Sequence, residues 1–134
     1  MSDSIFSKII RREVPAQFVY EDEVCVVIMD KFPTVEGQTL VIPKQEVDYA
    51  FNLDNETYSH LLKVAKDVAL ASDKALGAVR TCMAVEGFEV PHAHVKLYPM
   101  TDTTRGLGPF LSGGNMAEDT ELESIAEKIR AEIK

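Results

Sequence analysis

Tryptophan is absent from this 134-residue chain, cysteine occurs twice and histidine three times. Cys25 and Cys82 lie far apart, each inside an apolar, β-branched run. That arrangement predicts buried, reduced thiols rather than a disulfide staple. Positive charge is also in the minority: 14 Lys and Arg stand against 22 Asp and Glu, a formal net charge of −8. Such an acidic chain offers no general surface to nucleic acid or to a membrane, because both are anionic. A local cationic pocket for a small phosphate ligand is still compatible with it. No apolar run approaches the roughly 20 residues of a membrane span. The opening "MSDSIFSKIIRRE" lacks the apolar stretch and small-residue cleavage site of a secretory leader. The expectation is therefore a cytoplasmic protein. Repeats, low-complexity tracts and linkers are missing too, which predicts one domain over 1–134.

What is present is an ordinary globular composition, 46% hydrophobic and 27% charged. Ile5, Phe6, Ile9 and Ile10 have helical spacing, with Ser2 or Asp3 as a cap and Pro15 as a stop. "FVYEDEVCVVIMD" predicts two strands around a turn at 21–23, its acidic cluster a solvated loop. "QTLVIPK" predicts a third strand, and Pro43 places its end at a sheet edge or a bend. Leu61, Val64, Ala65, Val68, Ala69, Ser72, Ala75 and Leu76 form one stripe of a long helix. Asp54 or Asn55 can cap that helix, and Gly77 is a left-handed stop. "AVRTCMAVEG" and "EVPHAHVKLYP" predict two more strands joined by a short turn near Gly87. A Gly-rich loop follows, then a helix with Leu122, Ile125, Ala126, Ile129 and Ile133 on one side. Short connections between strands argue for an α+β fold: about five antiparallel strands, one long helix, a short N-terminal helix and a C-terminal helix.

"EVPHAHVKLYP" is the stretch that carries chemistry. In a strand His92, His94 and Lys96 share one face, and Ala93, Val95 and Leu97 share the other. Neighbours two apart stand about 6.5–7 Å from each other, so one phosphoryl group can touch both imidazoles and the ammonium. Three readings compete. The face is merely solvated; or it binds a metal, which Lys96 opposes; or an imidazole attacks phosphorus while cationic donors hold the oxygens.

The motif resembles that of the histidine triad (HIT) superfamily of nucleotide hydrolases and transferases. That family alternates three histidines with apolar residues on its last long strand. "SIFSKIIRREVPAQFVYED" is similar to the family's first helix and strand, and "MDKFPTVEGQTLVIPK" to its ribose-binding segment. The three segments agree in order and spacing, over a core at 3–100, with a loop and helix at 101–134 beyond it. The nearest likeness is to the branch of histidine triad nucleotide-binding proteins. The resemblance implies a HIT-like fold, a homodimer, a purine nucleotide as substrate and no cofactor. It implies that His94 attacks the α-phosphorus, forming a nucleotidyl-imidazole that water hydrolyses, and that His92 orients it. It implies that Asp30 binds the ribose hydroxyls, as a carboxylate accepts two hydrogen bonds from a cis-diol. Phe6, Ile9 and Ile28 would line the base pocket, where plain core packing is the alternative. Lys31 stands where the family often has an apolar residue on the ribose or base. His60, among polar helix residues, has no assigned role.

Several positions depart from the pattern. Lys96 replaces the third histidine, keeping hydrogen-bond donors and adding a fixed charge. A nearby cation favours neutral, nucleophilic His94, but an ammonium is a sluggish general acid at neutral pH. Ser4, Ser7 and Glu46 or Gln45 occupy places where many bacterial members hold a structural zinc, so no metal is expected. The loop before the motif is short: Gly87 is the residue left to approach phosphate, and Glu89 falls near a usual serine. Arg105 could reach phosphate if the Gly-rich loop folds over the pocket. The reading is a hydrolase or transferase acting on phosphoanhydride or phosphoramidate bonds. The alternatives are a binding module that holds a nucleoside monophosphate without turnover, and a scaffold with no nucleotide pocket.

Overall fold

The computed structural model describes residues 3–102 and 104–133. Its first helix, α1 (Ile5–Ile10), spans the four apolar residues but ends well before the expected stop at Pro15. Ser4 rather than Asp3 is the cap, its hydroxyl accepting from Ser7 N–H at 3.0 Å. Ser2, the other expected cap, lies outside the described residues. The helix stops before Pro15 because Arg12 turns left-handed, φ 64°. Glu13 N–H then reaches Lys8 O, and Arg12 N–H reaches Ile9 O, which closes a Schellman motif usually made with glycine. Stacking of the Arg12 guanidinium on Phe18 and its ion pair with Glu21 offset the cost.

The strands are β1 (Phe18–Glu21), β2 (Cys25–Met29), β3 (Thr39–Pro43), β4 (Arg80–Ala84) and β5 (Val95–Met100). They form one antiparallel sheet in the order β1-β2-β3-β5-β4. The turn between β1 and β2 is not a merely solvated acidic loop. Asp22 accepts from the amides of Val24 and Cys25, from Tyr20 and from His60 on the long helix. Burial alone would raise its carboxyl, but these donors outweigh it and hold the group well below the usual range. His60 is thereby a tertiary contact, and all of Asp22's acceptor positions are in use.

Helix α2 (Asn55–Leu76) starts at Asp54, which accepts from Thr57 N–H, and ends at Gly77 in the left-handed region, φ 67°. Helix α3 (Asp119–Glu132) lies beside it. Leu61, Val64, Val68, Leu122, Ile125 and Ile129 pack on the odd-numbered residues of the central strands, Val27, Met29, Val41, Val95 and Leu97. Burying each such side chain contributes about 1.5–3 kcal/mol relative to exposure. The even-numbered residues Val26, Ile28, Leu40 and Ile42 face the other way, onto Phe6 and Ile9 of α1. Apolar side chains are therefore packed on both faces of the antiparallel sheet, which explains strands apolar at every position. No helix among the described residues is long and apolar enough to cross a membrane.

The expected strand over 89–99 and its short turn are corrected. Residues 85–94 are irregular, and β5 begins only at Val95. Its ladder with β3 runs from Leu97 opposite Thr39 to Val95 opposite Val41. The next rung would fall on Pro43, which has no N–H to give. Ala93 N–H turns instead to Val47 O, at 2.7 Å. Pro43 thus ends a central strand rather than marking an edge strand. After β5 the Gly-rich loop returns across the end of β2. Thr34 Oγ1 donates to Phe110 O, and Ala117 N–H to Lys31 O. Gly114 lies against the Phe32 backbone, where a Cβ would collide with the carbonyl.

Candidate active site

Six residues of helix cover only part of the face that α1 packs on. The uncovered part is a cavity of about 770 Å³. Phe6, Ile9, Ile28, Asp30, Lys31, Glu89, His94 and Lys96 all line it, so eight of the ten candidate residues converge. His92 and Gly87 do not. Gly87 sits in the loop at φ 87°, near Asp48 O, and serves the turn. Arg105 also misses the cavity: it pairs with Asp102 and lies over the Phe110 ring.

His92 is fully buried. Its Nε2–H donates to Pro43 O at 2.8 Å, which leaves Nδ1 as an acceptor for the Ser4 hydroxyl at 2.7 Å. Both ring nitrogens are spent, and burial pushes the ring's pKa below its ordinary 6.5. The side chain is a buttress between α1 and the end of β3, not a third member of a common face. The reason is the lost ladder: a turn in which His92 N–H reaches Val90 O rotates the residue out of strand geometry.

His94 has the opposite arrangement. Its Nδ1–H donates to the His92 backbone carbonyl at 2.8 Å, which fixes the proton on Nδ1 and leaves the Nε2 lone pair free. Phe6 meets the ring edge-on, centroids 4.9 Å apart. Burial, then Lys96, hold its pKa below 6.5 against the opposing pull of Asp30 and the carbonyl. The imidazole is neutral at pH 7, with one nucleophilic nitrogen on the cavity. The nearest carboxylate to Lys96 is Glu86 rather than Glu89: the ammonium lies 3.6 Å from its Oε1.

Asp30 follows the end of β2. Oδ1 accepts from Phe32 N–H and Oδ2 from Gln38 Nε2, at 2.9 and 2.7 Å. Each oxygen keeps a second lone pair for a ligand. Gln38 is itself pinned, its Oε1 accepting from Thr34 N–H at 2.8 Å. Lys31 pairs with Asp119 at the start of α3, which ties the cavity rim to the C-terminal helix. Sequence reasoning missed Gln38, Thr34, Tyr98 and the wall at Phe110–Gly114. For Gln38 and Tyr98 a signal existed, since both continue the even-numbered rows of Leu40 and Lys96.

The positions of the family's structural zinc also converge. Ser7 Oγ donates to Glu46 Oε1, Ser4 N–H donates to the same oxygen, and Ser4 Oγ bonds His92. Two neutral hydroxyls and one carboxylate, already bonded to each other, are not a donor set that fits zinc, which favours thiolate and imidazole.

A family model described as HIT domain matches residues 11–102. An uncharacterised HIT-like protein of Borreliella burgdorferi is 35% identical over 106 residues, covering 74% of this chain and 76% of its own. A crystal structure of a HIT-like protein from Bartonella henselae, involved in cell-cycle regulation and holding an unknown ligand, superposes with a TM-score of 0.88. It is 31% identical, and the match covers 97% of this chain and 96% of that one. A hypothetical histidine triad nucleotide-binding protein from Sulfolobus tokodaii superposes with a TM-score of 0.80 at 31% identity, covering 96% and 90%.

Proposed function

This chain belongs to the HIT domain family, and from that premise we propose that it cleaves a phosphoanhydride or phosphoramidate bond at the α-phosphate of a purine nucleotide. The observation that carries this reading is the His94 ring, locked through Nδ1–H to a backbone carbonyl with Nε2 bare on a cavity that also holds Lys96 and Asp30. Nε2 attacks the α-phosphorus. A P–N bond forms, the bond to the leaving group breaks, and the leaving group takes the electron pair. Positive charge that develops on the imidazole is stabilised by the His92 carbonyl, and the phosphoryl oxygens by Lys96. Water then attacks phosphorus, the P–N bond returns its electrons to Nε2, and the water's proton passes to solvent. The nucleoside monophosphate leaves with its ribose on Asp30 and its base against Ile9, Ile28 and Phe6.

A second reading is favoured by one observation: Glu89 also lines the cavity, where a carboxylate repels phosphate. On that reading the pocket holds a nucleoside monophosphate without turnover. Mixing the protein with a fluorogenic adenylate separates the two. The first reading expects a burst of one leaving group per chain and a mass gain of one nucleotidyl group on His94. Both should vanish in His94→Asn, with turnover down by about 10³-fold or more. Nucleotide binding with neither burst nor adduct supports the second. Homodimerisation belongs to the same proposal. β4 is an edge strand, with exposed Met83 on it and exposed Val79, Val85 and Phe88 next to it in sequence.

A further inference from the structure

Tyr98 is only 1% exposed, yet it lines the cavity. Its hydroxyl has no hydrogen-bond partner among the described residues. The enclosed, unpaired side-chain polar atoms among those residues are Thr39 Oγ1 and Ser72 Oγ. The Tyr98 oxygen is not one of them, so it opens on the cavity. A hydroxyl that faces a cavity and has no protein partner is free to hydrogen-bond a ligand that enters it. The residue also stays a donor: burial and the nearby carboxylates of Glu86, Asp30 and Glu89 push its ionisation up to about 12.

The sheet register shows where that donor stands. Leu40 pairs with both Ile28 and Lys96, which makes one row across the cavity floor. Continuing each ladder by one pleat puts Asp30, Gln38 and Tyr98 in the next row. Asp30 and Tyr98 flank Gln38 two strand spacings apart, about 10 Å between backbones. Gln38 is committed to holding Asp30. The row therefore presents a spare pair of acceptors at one end and a spare hydroxyl donor at the other. A sugar hydroxyl complements both, since it donates one hydrogen bond and accepts others.

We infer that Tyr98 is a ribose-binding residue: one hydroxyl of the ligand's cis-diol donates to Asp30 and accepts from Tyr98. The inference rests on the nucleotide reading above and deepens it. It makes the pocket selective for ribonucleotides from two sides, with the donor rising from the sheet floor. Tyr98→Phe removes one oxygen and keeps the packing.

The test is calorimetric binding of AMP, 2′-deoxy-AMP and 3′-deoxy-AMP to the parent, Tyr98→Phe and Asp30→Ala. Tyr98→Phe should weaken AMP about three- to tenfold, the range of one uncharged hydrogen bond. The same change should cost nothing for the deoxy analogue that lacks the bridged hydroxyl, an outcome a packing role does not produce. Equal losses for all three ligands, or AMP binding within about twofold of the parent, overturn the inference. If Asp30→Ala still weakens AMP in that case, the nucleotide reading survives without it. A parent protein that binds none of the three overturns both.

Discussion

On one face of the sheet Val27, Met29, Val41, Val95 and Leu97 are buried in one cluster with the apolar sides of α2 and α3. One residue along the same strands, Ile28, Asp30, Leu40, Lys96 and Tyr98 meet a cavity. Helix length accounts for much of the difference. The 22 residues of α2 span about 33 Å, more than the roughly 20 Å width of five strands. The six residues of α1 span about 9 Å and cover only part of the floor. A helix too short to finish the layer exposes sheet residues to a ligand while leaving them rigid. The polar residues on that face stand where the covering helix runs out. The solid face supplies stability and the hollow one supplies chemistry.

That contrast breaks most visibly in stability. Leu97, 1% exposed on the solid face, should cost about 2–5 kcal/mol when truncated to Ala, since the void it leaves is enclosed. Leu40 is also buried but borders space that already exists. Its truncation should cost about 2 kcal/mol or less. Urea unfolding of both variants measures the difference, and equal losses would mean that the cavity face is packed as tightly as the other.

The next effect concerns only the hollow face. An ammonium at position 96 holds its proton more tightly than an imidazole, so it helps least where the leaving group must be protonated. Phosphoanhydrides should therefore outrun phosphoramidates in the parent. Lys96→His should narrow the gap by about tenfold or more, in the range of general acid catalysis. Steady-state rates on both classes check this; a parent that already prefers phosphoramidates contradicts it.

The solid face was legible in the sequence almost residue by residue. Most of the stripe on α2 (with Ala71 buried in place of the expected Ala69), its Asp54 cap and Gly77 stop, and the apolar side of α3 up to Ile129 stand where period and cap chemistry put them. The hollow face was legible in the residues that resemble a family motif, and less so in its geometry. Eight candidates line the cavity, but the alternation of His92, His94 and Lys96 assumed a strand that the chain does not form there. What defeated it is non-local: Pro43, 49 positions before His92, ends the ladder and takes the imidazole as a partner. Gly87 was read as a phosphate contact because glycine permits close approach, yet its conformation answers only to its own turn. The reach of the 110–114 loop is likewise set by Thr34 and Lys31, far away in sequence. Neither contact leaves a periodic signal.

The smallest effect is a pH dependence that also divides the two faces. His92 and His94 are enclosed on the α1 side, and burial holds both below the ordinary 6.5. The unfolded chain binds protons there as pH drops below about 6.5, while the folded protein does not. Stability is therefore complete above that value and is lost as pH falls from it toward the folded values. The depressed carboxyls of Asp22 and Glu21 act in the same direction but in a lower window, below their ordinary 3.8 and 4.5. Between about pH 6.5 and 5 the slope should belong mainly to the two imidazoles. His94→Asn, which cannot protonate, should keep the high-pH stability closely and lower the slope in that window. A slope unchanged by the substitution would place the proton uptake elsewhere, and would mean that His94 is solvated well enough to titrate like a surface residue.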